Sequence, residues 1–172
     1  MATPSRVEGD MHVNGGLSAT SITYPDGTIT NTAVAANAGI AATKVTAHKT
    51  LYHSQEAGTD VTSMSKPIHT VYGATATLIA VDVVPIQEPT GGDKQYTVDL
   101  QKGNAATSFA TVLSSVITVN SSSNDRTIQA GTLSSTSLVD GDSLQVVITA
   151  SGSTGSQGQG VLVTVTIHEA PQ

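Results

Sequence analysis

From Pro67 onward, short runs rich in Val, Ile, Thr and Leu alternate with clusters of Gly, Asp, Asn and Ser, and this rhythm constrains the fold more than any other feature of the chain. The runs cover residues 68–72, 75–84, 95–101, 109–119, 126–130, 144–150 and 161–168. In the last of them Val161, Val163, Val165 and Ile167 are separated by Leu162, Thr164, Thr166 and His168. A period of two gives a strand one buried face. The separators are Pro89-Thr90-Gly91-Gly92-Asp93, Lys102-Gly103-Asn104, residues 121–125, Asp140-Gly141-Asp142 and the long stretch 151–160. Each is turn chemistry, with Gly supplying positive φ and Asp or Asn bonding its own backbone. Seven or eight strands at this spacing predict an all-β fold, an antiparallel, jelly-roll-like β-sandwich over 67–172. A parallel α/β fold would need helical periods between the runs, and the sequence has none there.

Composition agrees with this reading and narrows the function. Thr and Val suit a pleated, half-buried surface, and Gly and Ser suit turns. With one Phe and no Trp, the core must be built from Val, Leu and Ile, which predicts a thin core supplemented by burial between subunits. The net charge is −6 with only 7 Lys and Arg, and no cluster of positive charge is present, which argues against a nucleic-acid partner. The absence of Cys excludes disulfides and thiolate metal sites. No apolar run approaches the roughly 18 residues of a membrane span, and MATPSRVEGD lacks the apolar region of a signal peptide. The expectation is therefore no membrane partner and synthesis in the cytoplasm.

The first 66 residues read differently. Residues 1–10 form a polar arm, and in 11–29 short β-favouring pieces are punctuated by Asn14-Gly15-Gly16 and Pro25-Asp26-Gly27, which predicts two or three short strands. In TITNTAVAANAGIAATKV, residues 28–45, Ile29, Ala33, Ala36 and Ile40 form one stripe at helical spacing, and Val34, Ala38, Ala41 and Val45 a second. Ala favours a helix, but Asn37 and Gly39 weaken its middle, and a helix this short is marginal alone. The segment needs close-packed partners, most simply copies of itself, although a linker packed on its own domain is the plainer alternative. Ile29, Ala33, Val34, Ala38, Ile40, Ala41 and Val45 are the candidate trimer-interface residues. Residues 46–66 show no sustained period and read as an extended connector. The expected division is 1–30 for attachment, 31–66 for trimerisation and 67–172 for the sandwich.

Candidate chemistry is sparse. His48 and His53 share the connector, and one histidine per chain could converge on a symmetry axis, but the spacing is not that of a metal site and an interface role fits better. Asp140 and Asp142 could supply two oxygens to calcium, which takes about 6–8, whereas an Asp-Gly turn explains them without an ion. The glycines of 151–160 lead into a β run and not into a helix, so they do not form a phosphate cradle. They read as a flexible hairpin tip, with Ser153, Thr154, Ser156 and Gln157 as candidate contact residues. No Gly-x-Ser-x-Gly elbow stands between a strand and a helix. The expectation is a protein without catalytic residues, cofactor or metal.

The run GDMHVNGGLSATSITYPDGTITNTAVAANAGIAATKV resembles the N-terminal part of short virion proteins of tailed phages. VYGATATLIAV, YTVDLQKGN, AGTLSSTSLVDGDSLQVVITA and GQGVLVTVTIHE resemble the β domain that accompanies it, so the resemblance spans most of residues 9–169. It implies a homotrimeric head decoration, cement or head-fibre protein on the virion surface, with the major capsid protein as partner and no catalytic residues to transfer. Arg6, Val7, Met11 and Val13 are then the candidate shell-attachment residues. Related connectors are often richer in histidine than this one. A receptor- or glycan-binding module of a tail fibre is the alternative, disfavoured by the shortage of aromatic faces.

Overall fold

The computed structural model describes residues 46–170. Ten strands run in chain order: β1 (Ala47–Asp60), β2 (Met64–Thr70), β3 (Ala76–Gln87), β4 (Gln95–Asn104), β5 (Thr107–Thr111), β6 (Ile117–Val119), β7 (Gln129–Ala130), β8 (Ser137–Leu138), β9 (Ser143–Ser151) and β10 (Gln159–Glu169). Sheet A has the order β1-β10-β3-β7, with β8 also on β3, and sheet B has the order β2-β9-β4-β5, with β6 also on β4. Every pairing between these strands is antiparallel. The pairs β5/β6 and β7/β8 each lie along one edge of a neighbour, so each counts as one interrupted strand. Eight strands then form two sheets, with successive strands crossing repeatedly between them. That is the order of a jelly roll.

The predicted run 109–119 is broken for a visible reason. Thr111 pairs with Gln101 and Ile117 with Val98, so the chain between them carries more residues than β4 can match and loops out. Val112 still donates to the Leu100 carbonyl at 2.9 Å, and Leu113 bridges to Leu133. Both side chains are buried.

The inward faces follow the period of two. Val161, Val163, Val165 and Ile167 of β10 and Val81 and Val83 of β3 meet Tyr96, Val98 and Leu100 of β4 and Leu144, Val146 and Ile148 of β9, each at most 1% exposed. Each such side chain contributes about 1.5–3 kcal/mol on burial. The scarcity of aromatics therefore does not leave this sandwich thin, because branched aliphatics fill one continuous core within the chain.

Residues 46–66, expected as an extended connector, are corrected by the structure: they hold β1 and the start of β2. β1 pairs along β10 from Ala47↔Glu169 to Gln55↔Val161, and after an irregularity Asp60 pairs with Gln159. Its inward residues are Lys49, Leu51, His53 and Gln55, of which only Leu51 is aliphatic. A strand at the edge of a sheet needs little apolar side chain, so the sequence shows no alternation to read. Polar stitching replaces it. Gln55 donates from Nε2 to the Thr62 carbonyl and accepts from the Thr62 amide, both at 2.9 Å.

β1 and β2 each pair on one side only among the described residues. Lys49 on β1 and Lys66 and Pro67 on β2 stand on those open edges, where charge and proline discourage stray strand pairing. The small strands expected in 11–29, the helix expected in 28–45 and all the candidate trimer-interface and shell-attachment residues lie outside the described residues.

Tyr96 is the largest side chain in the core, and its hydroxyl has no hydrogen-bond partner among the described residues. Burial pushes its phenol pKa upward. Removing an unpaired buried polar atom relieves its desolvation cost. Tyr96→Phe is expected to leave thermal stability unchanged or raise it by about 1 kcal/mol. A loss of that size in a denaturation experiment would show that the hydroxyl is satisfied in solution.

Candidate functional site

The strand directions give the sandwich two distinct poles. β1 begins opposite the end of β10, and the turns 71–75, 105–106 and 139–142 lie at the same end. The links 61–63, 88–94, 120–128 and 152–158 lie at the other. β1 therefore starts at the first pole, and the long loops gather at the second.

At the loop pole, the stretch expected as a flexible hairpin tip is corrected on both counts. β9 belongs to sheet B and β10 to sheet A, so 152–158 is a crossover between sheets. It is also clamped to the neighbouring crossover, 88–94. Thr90 and Ser156 exchange backbone hydrogen bonds at 3.0 and 2.8 Å. The Asp93 carboxylate accepts from the Ser153 amide at 2.9 Å, the Thr154 amide at 2.7 Å and the Thr154 hydroxyl at 2.8 Å. The Thr154 carbonyl in turn accepts from the amides of Asp93 and Lys94.

Glycine makes this approach possible. A Cβ on Gly155, which has φ +93°, would lie 1.8 Å from the Gly91 carbonyl oxygen, and one on Gly152 would lie 2.3 Å from that of Asp93. Both positions combine a left-handed backbone with a backbone wall, which only glycine tolerates. Of the sequence candidates, Ser153 and Thr154 are thus anchors of the loop. Ser156 and Gln157 line a cleft of about 490 Å³ beside it, together with Asp60, Gln87, Thr90, Lys94 and Gln159. The four cleft residues outside the loop and the Pro-Thr-Gly-Gly-Asp turn were not legible as a group. They come from the ends of three strands and β4's approach, far apart in sequence.

The histidines of the former connector do not converge within one chain. His48 faces outward and its ring lies 4.7 Å from that of His168, whereas His53 faces inward with Nε2 3.1 Å from Met64 Sδ. Burial, helped by the charge on Lys66, lowers the His53 pKa. Among the described residues no group of three or more His, Asp or Glu is placed to hold a metal ion. Asp140 and Asp142 spend their oxygens on the protein: Asp140 accepts from the Gly73 amide at 2.6 Å, and Asp142 accepts from Asn104 Nδ2 and the Val139 amide, both at 3.0 Å. That is the turn reading, with Gly141 at φ +85°.

The pole nearest residue 46 carries a second polar cluster. Glu169 on β10 accepts from Lys49 Nζ on β1 and meets His69 Nε2 on β2 at 2.8 Å, so one carboxylate ties sheet A to sheet B. Its bond to Lys49, and secondarily that to His69, holds its pKa below the usual value.

Asp93 supplies the measurable test of the clamp. Bonds from the Thr154 amide and hydroxyl and the Ser153 amide lower its pKa from 3.8 to about 2. A carboxylate depressed in the folded state favours that state above its unfolded pKa, and the contribution is lost as pH falls through the folded value. The Ser153 and Thr154 amide resonances are expected to stay fixed above pH 4 and to move with a midpoint at about 2. Asp93→Asn should abolish that movement. Gly155→Ala should destabilise the pole, seen as faster amide exchange in 152–158 and a lower Tm, and an unperturbed Gly155→Ala would disprove the close backbone contact.

No known protein-family profile matches the chain, and no curated protein matches it. Among solved structures it is similar to a chain described as the cyanophage Pam1 capsid asymmetric unit, at 17% identity and a TM-score of 0.49, covering 73% of this chain and 86% of that one.

Proposed function

We propose that this chain is a structural virion protein, a homotrimeric decoration or head-fibre protein that binds the outer surface of a phage capsid and has no catalytic role. The sequence resemblance over residues 9–169 motivates the reading. The observation that carries it is the polarity of the sandwich. β1 starts at one pole, directly after the sequence that holds the candidate attachment and trimer residues, and the clamped loops occupy the other.

Three chains joined through residues 28–45 would bring three arms to the shell together. The first contact raises the effective concentration of the others, so weak contacts add up to lasting attachment. Preference for the assembled shell over its dissociated subunits then stabilises the shell by mass action. The self-contained core supports a division of labour in which the sandwich folds without help from the arm.

Three outcomes are expected. Full-length protein should sediment as a trimer, and Ala38→Glu, which puts a charge into the alanine stripe, should yield monomers with an intact sandwich by far-UV circular dichroism. Removal of residues 1–27 should abolish retention on purified heads while the sandwich stays folded. A monomeric full-length protein, or undiminished retention after the truncation, would refute the corresponding half of the proposal.

A further inference from the structure

We infer that the cleft at the loop pole is a binding site for a neutral saccharide, recognised by hydrogen bonds without aromatic stacking. The inference does not depend on shell attachment and would hold for a sandwich of another origin.

The floor of the cleft is a cross-strand row. The core face of β10 runs Ile167, Val165, Val163, Val161 and then changes to Gln159. Gln159 is opposite Gln87 of β3 on one side and Asp60 of β1 on the other. Three hydrogen-bonding side chains therefore stand side by side where the aliphatic core gives out. With strands about 4.8 Å apart, the row spans about 10 Å, the scale of the successive hydroxyls of a short saccharide. Gln159 Nε2 donates to Asp60 Oδ1 at 3.2 Å. This leaves Gln159 Oε1 and Asp60 Oδ2 without a protein partner among the described residues.

The walls come from the two interlocked crossovers: Thr90 and Lys94 from one, Ser156 and Gln157 from the other. Their backbones are fixed by the Asp93 clamp and the Gly91–Gly155 contact, so the cavity is formed before a ligand arrives.

The lining selects the ligand class. It is almost wholly polar, which leaves no apolar anchor for a lipid or a hydrophobic peptide side chain. Its two charges, Asp60 and Lys94, are of opposite sign, which leaves no net attraction for phosphate or a polyanion. The remaining groups are three carboxamides and two hydroxyls, each able to donate and accept. A vicinal diol offers the same paired donors and acceptors. With no aromatic ring among the lining residues, affinity for a single site rests on hydrogen bonds alone, and millimolar binding is the expected range.

The test is saturation-transfer difference NMR on the full-length protein, with glucose, galactose, mannose, rhamnose and N-acetylglucosamine as separate probes at millimolar concentration and inorganic phosphate followed by amide shifts. Transfer is expected to at least one neutral sugar, and Gln87→Ala/Gln159→Ala should weaken that binding at least ten-fold. The same double variant should retain the wild-type Tm, and Asn104→Ala at the opposite pole should bind like wild type. Absence of transfer to every sugar, transfer that survives the double variant, or phosphate shifts at the cleft in place of sugar binding would each overturn the inference. Loss of head retention in the truncated protein bears only on the attachment proposal, so the two fail separately.

Discussion

The structure depends on two sheets being pressed together by branched aliphatic side chains, with Tyr96 the one large ring in the core among the described residues. Because Val and Ile are short and stiff, the sheets must approach closely, and packing at crystal-like density makes even one lost methyl costly. The two faces that supply this contact, β10 with β3 and β9 with β4, are the central strands of their sheets. Strands further out contribute less. β1 gives the core only Leu51 and is held otherwise by its ladder with β10 and by the polar bonds of Gln55 and Lys49.

The same shortage of bulk explains how the ends are closed. At the loop pole the crossovers 88–94 and 152–158 interlock above the buried Tyr96 at the start of β4. Backbone is packed on backbone there, with glycines at 92, 152 and 155 removing the Cβ atoms that would hold the crossovers apart. At the opposite pole Glu169 spans the sheets through Lys49 and His69. One end is locked by main-chain geometry and the other by charge, and at each the bonds that a carboxylate accepts, Asp93 at the first and Glu169 at the second, hold its pKa below the usual value.

The central strands were legible because they obey simple rules: β10 and β4 carry apolar residues at every second position, Val161, Val163, Val165 and Ile167 in one and Tyr96, Val98 and Leu100 in the other, and β3 and β9 are dense in Val, Ile and Leu between turn clusters. Their sandwich arrangement followed from count and spacing. β1 was not legible, since its inward Lys49, His53 and Gln55 are polar and its pairing partner is more than a hundred residues away. The two-residue strands β7 and β8 carry almost no pattern. In the tip loop the composition correctly marked a turn-rich stretch, but glycine was read as freedom. In place, Gly152 and Gly155 allow a contact so tight that the loop is fixed, and the partner, Asp93, lay in a turn already recognised for its own local chemistry. Pairings between distant turns leave no periodic trace in a sequence.

That rigidity bears on what a polar cleft without aromatic rings can do. A ring gives a sugar a broad apolar face at little entropic cost, and a site lacking one must avoid losses elsewhere. Loops that order only on binding would forfeit much of the free energy that a few hydrogen bonds supply. Here the ordering is completed during folding, by the Asp93 bonds and the glycine contacts, and Gln159 is held on a strand between two paired neighbours. What the cleft still lacks in single-site strength can come from number, because several copies displayed together would meet a repeating ligand at several points at once.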